Sequence, residues 1–235
     1  MTRQAERRPS PRNRARDGHR NRLRIAELGE GGGELSRTNN VESLPVAPAE
    51  WRGYLTEFSD AFFRNVTGSG LWGLDDEQMA ARWLGYAPAS ERLVAEAEER
   101  LGVRLPPSLL GFLLTTDGWS RPADWVERVC PCHDIQWFAE TLVGTSFIGE
   151  ASRDLRDAPS SQQFLEMLKR MLVVADGDDV WLLDTGKANA DGEYVAWHLT
   201  VKYGIFQGRY PTFSALFANG RAEIEESAGG AEARG

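Results

Sequence analysis

The chain has 235 residues with 27 basic and 35 acidic side chains, a formal net charge of −8. That charge is unevenly divided: residues 1–44 hold 10 Arg and 6 acids, net +4, which leaves 17 basic and 29 acidic groups, net −12, in the remainder. An acidic body excludes the general phosphate-backbone mode of nucleic-acid binding, which depends on clustered Lys and Arg, and no run of about 18 apolar residues is present to span a membrane.

Nine Arg fall within the first 24 residues, among Ser, Pro, Asn and Gly. Few large apolar side chains accompany them to offset the entropy of ordering, so residues 1–44 are expected to be a disordered leader. A basic arm can touch nucleic acid or anionic lipid. The simpler reading is a solvated extension in an Arg-rich, Lys-poor chain. The cluster Leu23, Ile25, Ala26 and Leu28 is broken by Arg24 and Glu27, too short for a secretory signal, and the expected compartment is the cytoplasm. Gly31, Gly32 and Gly33 are expected to form a flexible hinge toward the body.

In chain order, Trp51, Tyr54, Leu55, Phe58, Phe62 and Phe63 recur at spacings of three and four and predict an amphipathic helix over 49–66. Ser90 is placed to cap a helix whose core stripe is Leu93, Val94, Ala97 and Leu101 and whose stop is Gly102. Pro106 and Pro107 forbid helix before them and set the entry of a buried one carrying Leu109, Phe112 and Leu113, closed by the turn Thr116-Asp117-Gly118. The period then changes toward two: Trp125, Val126, Val129, Ile135 and Trp137 read as short strands. Residues 140–160 read as loop with some helix, and a short helix carries Phe164, Leu165 and Leu168. Met171–Ala175 and Val180–Leu183, separated by Asp176-Gly177-Asp178-Asp179, predict a hairpin, with a third strand over Glu193–Leu199. A last helix opens near Phe213 and is expected to fray from about Arg221 into an acidic, Gly-rich tail over 221–235.

Three constellations bear on chemistry. Cys130-Pro131-Cys132-His133 supplies three soft ligands where closed zinc sites take four from better-separated pairs, so the thiols are expected to be ordinary buried ones and no metal is assigned. The acidic hairpin tip, with Asp184 or Glu193, would have to hold Mg²⁺ or Ca²⁺ for an enzyme reading, but it is too short for a calcium loop. No nucleophile-elbow, zinc-protease or phosphate-loop spacing occurs. Neither a cofactor nor a catalytic residue is predicted.

The ordered block Leu101-Gly102-Val103-Arg104-Leu105-Pro106-Pro107-Ser108, then Phe112-Leu113-Leu114 and Asp117-Gly118-Trp119, resembles the signature of the SUKH superfamily, and within it the Smi/Knr-type branch named after the fungal cell-wall assembly regulator. Val180-Trp181-Leu182-Leu183-Asp184, Gly192-Glu193-Tyr194-Val195 with Trp197, and Tyr210-Pro211-Thr212-Phe213 agree with it. The resemblance covers about residues 85–218. It implies an α+β fold with an antiparallel or mixed sheet flanked by helices, in one domain over 85–220, preceded by a helical accessory segment over 45–84. It also implies a non-enzymatic protein-binding role: bacterial members are regarded as immunity proteins that neutralise polymorphic toxins, and fungal members as interaction hubs. A net charge of −12 suits a basic toxin domain, through electrostatic steering. On that reading the partner-binding candidates are exposed aromatics and acids in turns: Asp117, Trp119, Trp125, Asp176, Asp178 and Asp179. The expected core comprises Leu101, Leu105, Leu109, Phe112, Leu113, Val173, Leu182, Trp197 and Phe213.

Overall fold

The computed structural model describes residues 44–66, 68–71, 73–154 and 161–232. The predicted Arg-rich leader, apart from Leu44, lies outside them. Helix α1 (Pro48–Asn65) opens with Pro at its first turn, and the Glu50 carboxylate accepts the backbone N–H groups of Val46 and Ala47. Burial of Trp51, Leu55, Phe58 and Phe62 follows the helical spacing of the sequence. Helix α2 (Asp76–Ala81) is capped by Asp75, which accepts the Gln78 N–H at 2.8 Å. Helix α3 (Glu91–Leu101) begins at Ser90, whose hydroxyl accepts the Leu93 N–H, and ends at Gly102 with φ +69°. Helix α4 (Pro107–Leu113) starts at its proline, whose missing N–H costs nothing in a first turn.

Seven antiparallel strands follow: β1 (Trp119–Ala123), β2 (Val126–Val129), β3 (Gln136–Trp137), β4 (Met171–Gly177), β5 (Asp179–Ala188), β6 (Tyr194–Thr200) and β7 (Ile205–Tyr210). They form one sheet in the order β1-β2-β4-β5-β6-β7, with β3 pairing β4 at Gln136 and Trp137. Helices α5 (Leu142–Asp154) and α6 (Ser161–Lys169) precede β4, and α7 (Phe213–Glu232) closes the described chain. The architecture is therefore α+β, with an antiparallel sheet covered by helices.

Helices cover both faces of the sheet, which explains why β4 and β5 read as continuous apolar runs rather than alternations. Trp181 meets Phe213 and Phe217 of α7 at ring separations of 6.5 and 6.0 Å. The next residue, Leu182, pairs instead with Trp197, whose ring packs on Phe206 at 5.3 Å; Phe206 in turn meets Phe164 of α6 at 6.0 Å. Residues of both parities are buried because each parity faces a different helical layer. The first layer is aromatic: Trp51, Phe112, Phe213 and Phe217 lie within 6 Å of one another, joining α1, α4 and α7. All nine expected core residues are buried.

The structure departs from the sequence reading in several elements. A strand the sequence reading omits, β1, runs through Trp119–Ala123, and Trp125 sits in the turn after it. Residues 142–154 form a full helix: the Thr141 hydroxyl accepts the Gly144 N–H at 2.8 Å, and a Cβ at Gly144 would lie 1.7 Å from Phe138 O. Strand β7 is also unforeseen, because Gly204, at φ +63°, turns the chain immediately before Ile205. The last helix does not fray at Arg221. Asn219 bonds Glu223 and Arg221 bonds Glu225, each at 2.7 Å, and the Arg221 guanidinium lies 4.8 Å from the Tyr54 ring centre. Gly220, part of what makes this stretch look like a tail, lets α7 press against Pro122 O and Trp181, where a Cβ would clash at 2.5 and 2.8 Å.

Candidate partner-binding site

Two hairpin tips and the later turns of α7 meet at one corner of the sheet. Ala123 pairs with Val126, so Asp124-Trp125 is a two-residue turn. Its backbone is pinned from the neighbouring hairpin: Trp125 O accepts the Asp179 N–H at 2.9 Å. Gly177 makes that approach possible, since a Cβ there would lie 2.5 Å from Glu127 N and 2.8 Å from Trp125 O. From above, the Ser227 hydroxyl of α7 donates to Asp124 Oδ2 at 2.6 Å. On this fixed turn the Trp125 side chain is 64% exposed, the most exposed tryptophan among the described residues. Asp124, Glu127 and Asp178 surround it and are exposed, and no ion pair among the described residues engages them.

Beneath the surface a polar network holds the corner. Asp179 is 5% exposed, and its Oδ2 sits 2.9 Å from His198 Nε2 and accepts the Thr200 hydroxyl at 2.8 Å. Thr200 Oγ1 accepts from Gln207 Nε2 at 3.0 Å. The register creates this: Asp179 pairs with Thr200 and Trp181 with His198, placing the three polar groups on one face. A buried carboxylate is tolerable only when its lone pairs are so occupied. Glu223 of α7 shares the region, and burial pushes its carboxyl above the usual carboxylate range, helped by Asp124 and Asp179 and opposed by His198.

The sequence-predicted candidates separate accordingly. Trp125 and Asp178 stand together at the surface. Trp119 does not: it is 0% exposed, edge-on to Trp83 at 5.1 Å and against Phe58, so it is core rather than contact. Asp179 is likewise internal. Asp176 lies on β4 and forms a bidentate pair with Arg128 at 3.0 and 3.2 Å. Asp117 holds the Cys-Pro-Cys turn, accepting the Cys132 N–H at 2.7 Å. The acids invoked for a cation-binding tip are dispersed: Asp184 pairs with Arg170 at 2.6 Å, and Glu193 bonds Ser108. Among the described residues no group of three His, Cys, Asp or Glu stands where it could hold a metal ion. Cys130 and Cys132 are free, buried thiols whose ionisation burial opposes, the second being pushed up to about 12.

Sequence reasoning missed Asp124 and Glu127 beside Trp125, and Glu223 and His198 in the network beneath that turn. The only local signal was Asp124-Trp125 itself, a polar residue and an aromatic between Ala123 and Val126. The contributions of β6 and α7 come from about 70 to 100 residues away, which no local pattern records.

The fold and this corner define a class: an α+β domain that presents an acidic surface bearing an exposed aromatic. The profile of the SMI1 / KNR4 family (SUKH-1) matches residues 88–219, more than half of the chain, and the chain belongs to that family. No curated protein matches it. Helix α1 lies outside the matched residues, yet Trp51 Nε1 donates to Ser108 O at 2.8 Å inside the shared core. Among the described residues no helix is long and apolar enough to cross a membrane.

Proposed function

We propose that this chain is a non-catalytic protein-binding module, an immunity protein of the cytoplasm that binds and neutralises a polymorphic toxin domain. The observation that carries the reading beyond family membership is the corner, where Trp125 stands exposed on an immobilised turn ringed by Asp124, Glu127 and Asp178. A held aromatic loses little entropy on binding and is the residue type most often found as an interface anchor. Its acidic surroundings favour a basic partner and speed encounter with it. Binding rather than chemistry is favoured because Asp184, Glu193 and Asp176 are each committed to internal pairs.

The test is co-expression with the toxic C-terminal domain of a large secreted protein encoded beside this gene. Rescue of growth is expected, and Trp125→Ala combined with Asp178→Asn is expected to abolish it while leaving the protein folded. Absence of both such a neighbour and rescue would remove the immunity role and leave the family and fold intact.

A further inference from the structure

The same corner has a second candidate occupant within the chain. We propose that the Arg-rich arm, residues 3–24, docks on the Trp125 corner of its own body and acts as an internal competitor of a basic partner.

Charge complementarity is the first ground. Nine Arg lie in residues 3–24, whereas the corner presents Asp124, Glu127 and Asp178 without ion-pair partners among the described residues, with Glu223 behind them. Trp125 adds a flat face for a guanidinium, which stacks on aromatic rings as well as pairing with carboxylates. Among the described residues four arginines of the body already stack on rings, with Arg52 over Trp83, Arg82 over Phe63, Arg209 over Trp197 and Arg221 over Tyr54 and Phe58.

Geometry is the second ground. The body begins at the far end of the helix that reaches the corner: Pro45 O accepts the Ser214 hydroxyl at 2.5 Å in the first turn of α7, and Ser227 of the same helix bonds Asp124. Thirteen residues of helix separate the two serines, about 20 Å at 1.5 Å per residue. Twenty residues separate Arg24 from Leu44 and reach up to about 66 Å when extended. Every arginine of the arm can therefore reach the corner without leaving its own molecule, and attachment supplies an effective concentration that no separate peptide would have.

This proposal borrows from the functional reading only the idea that the corner is a docking surface, and it is tested without any partner. A nitroxide is attached to a Ser10→Cys variant of the full chain; Cys130 and Cys132 are buried and do not compete for the label. Broadening of the Trp125 indole N–H resonance, assigned by its loss in Trp125→Phe, is compared with that of Trp137, at β3. At 50 mM salt the Trp125 signal is expected to broaden at least threefold more than that of Trp137, and the difference is expected to vanish near 1 M salt, where charge interactions reach only about 3 Å. Neutralising the surface with Asp124→Asn, Glu127→Gln and Asp178→Asn is expected to remove it as well. Equal broadening at the two tryptophans, or a difference indifferent to salt and to those substitutions, overturns the proposal. Equal broadening in a mixture of labelled and isotope-labelled chains also overturns it, in favour of contact between copies. Toxin rescue can fail while the arm docks, and the arm can stay free while rescue succeeds, so the two readings fall separately.

Discussion

Glu193 and Ser108 lie 85 positions apart, and the carboxylate of one grips the other twice: Oε1 accepts the Ser108 N–H at 2.6 Å and Oε2 accepts its hydroxyl at 2.7 Å. Ser108 is in the first turn of α4, where backbone N–H groups have no partner inside the helix. The acid immediately before β6 therefore caps α4 from a distance, and Pro106, which cannot cap with a side chain, is relieved of the task. Glu193→Ala leaves both donors buried and unpaired and should cost about 1.5–3 kcal/mol by urea denaturation at neutral pH.

The pH dependence follows from two carboxyls. Burial holds Glu193 above the usual carboxylate range against the two Ser108 bonds, and it raises Glu223 likewise. A raised folded pKa means the folded state binds the proton more tightly than the unfolded chain. The stabilising contribution is full below the unfolded pKa and is lost as pH rises through the folded one. Glu223→Gln should therefore flatten the fall in stability over the pH range just above that of an ordinary Glu, measured as unfolding midpoints across pH 4–7. An unchanged profile would place Glu223 in solvent.

Phe112→Ala should destabilise by about 3–5 kcal/mol, the range for removing a buried Phe. Phe112 is fully enclosed and touches Trp51, Phe213 and Phe217 with ring centres 5.2–5.5 Å away. A loss below about 1 kcal/mol in chemical denaturation would show that the α1–α4–α7 layer is packed differently.

Two tryptophans six residues apart should behave oppositely. Trp125→Ala should change stability by less than about 0.5 kcal/mol, as expected for an exposed site, and should impair rescue from the toxin domain. Trp119→Ala should cost about 3–5 kcal/mol by emptying the space between Trp83 and Phe58. Thermal midpoints of the two variants separate an exposed residue from a core residue directly.

The thiols should resist modification. Cys130 and Cys132 are each about 1% exposed, and burial holds both sulfurs in the protonated form, Cys130 aided by Asp176 and Cys132 by Asp117. Since the thiolate is the reactive species, a disulfide reagent at pH 8 should titrate neither in the native protein and both in urea. Prompt native labelling would mean that the Cys-Pro-Cys turn opens.

Much of this protein was determined locally and could be read as such. The helices over Trp51–Phe62 and Val94–Leu101 follow from 3.6-residue periodicity with Ser90 and Gly102 as punctuation, and the family resemblance rests on contiguous runs around Leu105-Pro106-Pro107-Ser108. Strand β7 and the continuation of α7 past Arg221 were not legible, because their stability comes from pairing with β6 and from packing of Arg221 and Gly220 against distant side chains.

The candidate site divides along the same line. Trp125 and Asp178 could be picked out as an aromatic and an acid in turns, and composition separated the basic arm from the acidic body. The opposite fates of Trp119 and Trp125 could not be read, since both are tryptophans flanked by turn residues. Which one faces water depends on where β1 lies against α1 and α7. Only the folded chain brings Asp124, Glu127, Asp178 and Glu223 to one corner, because strand register and the length of α7 set those distances.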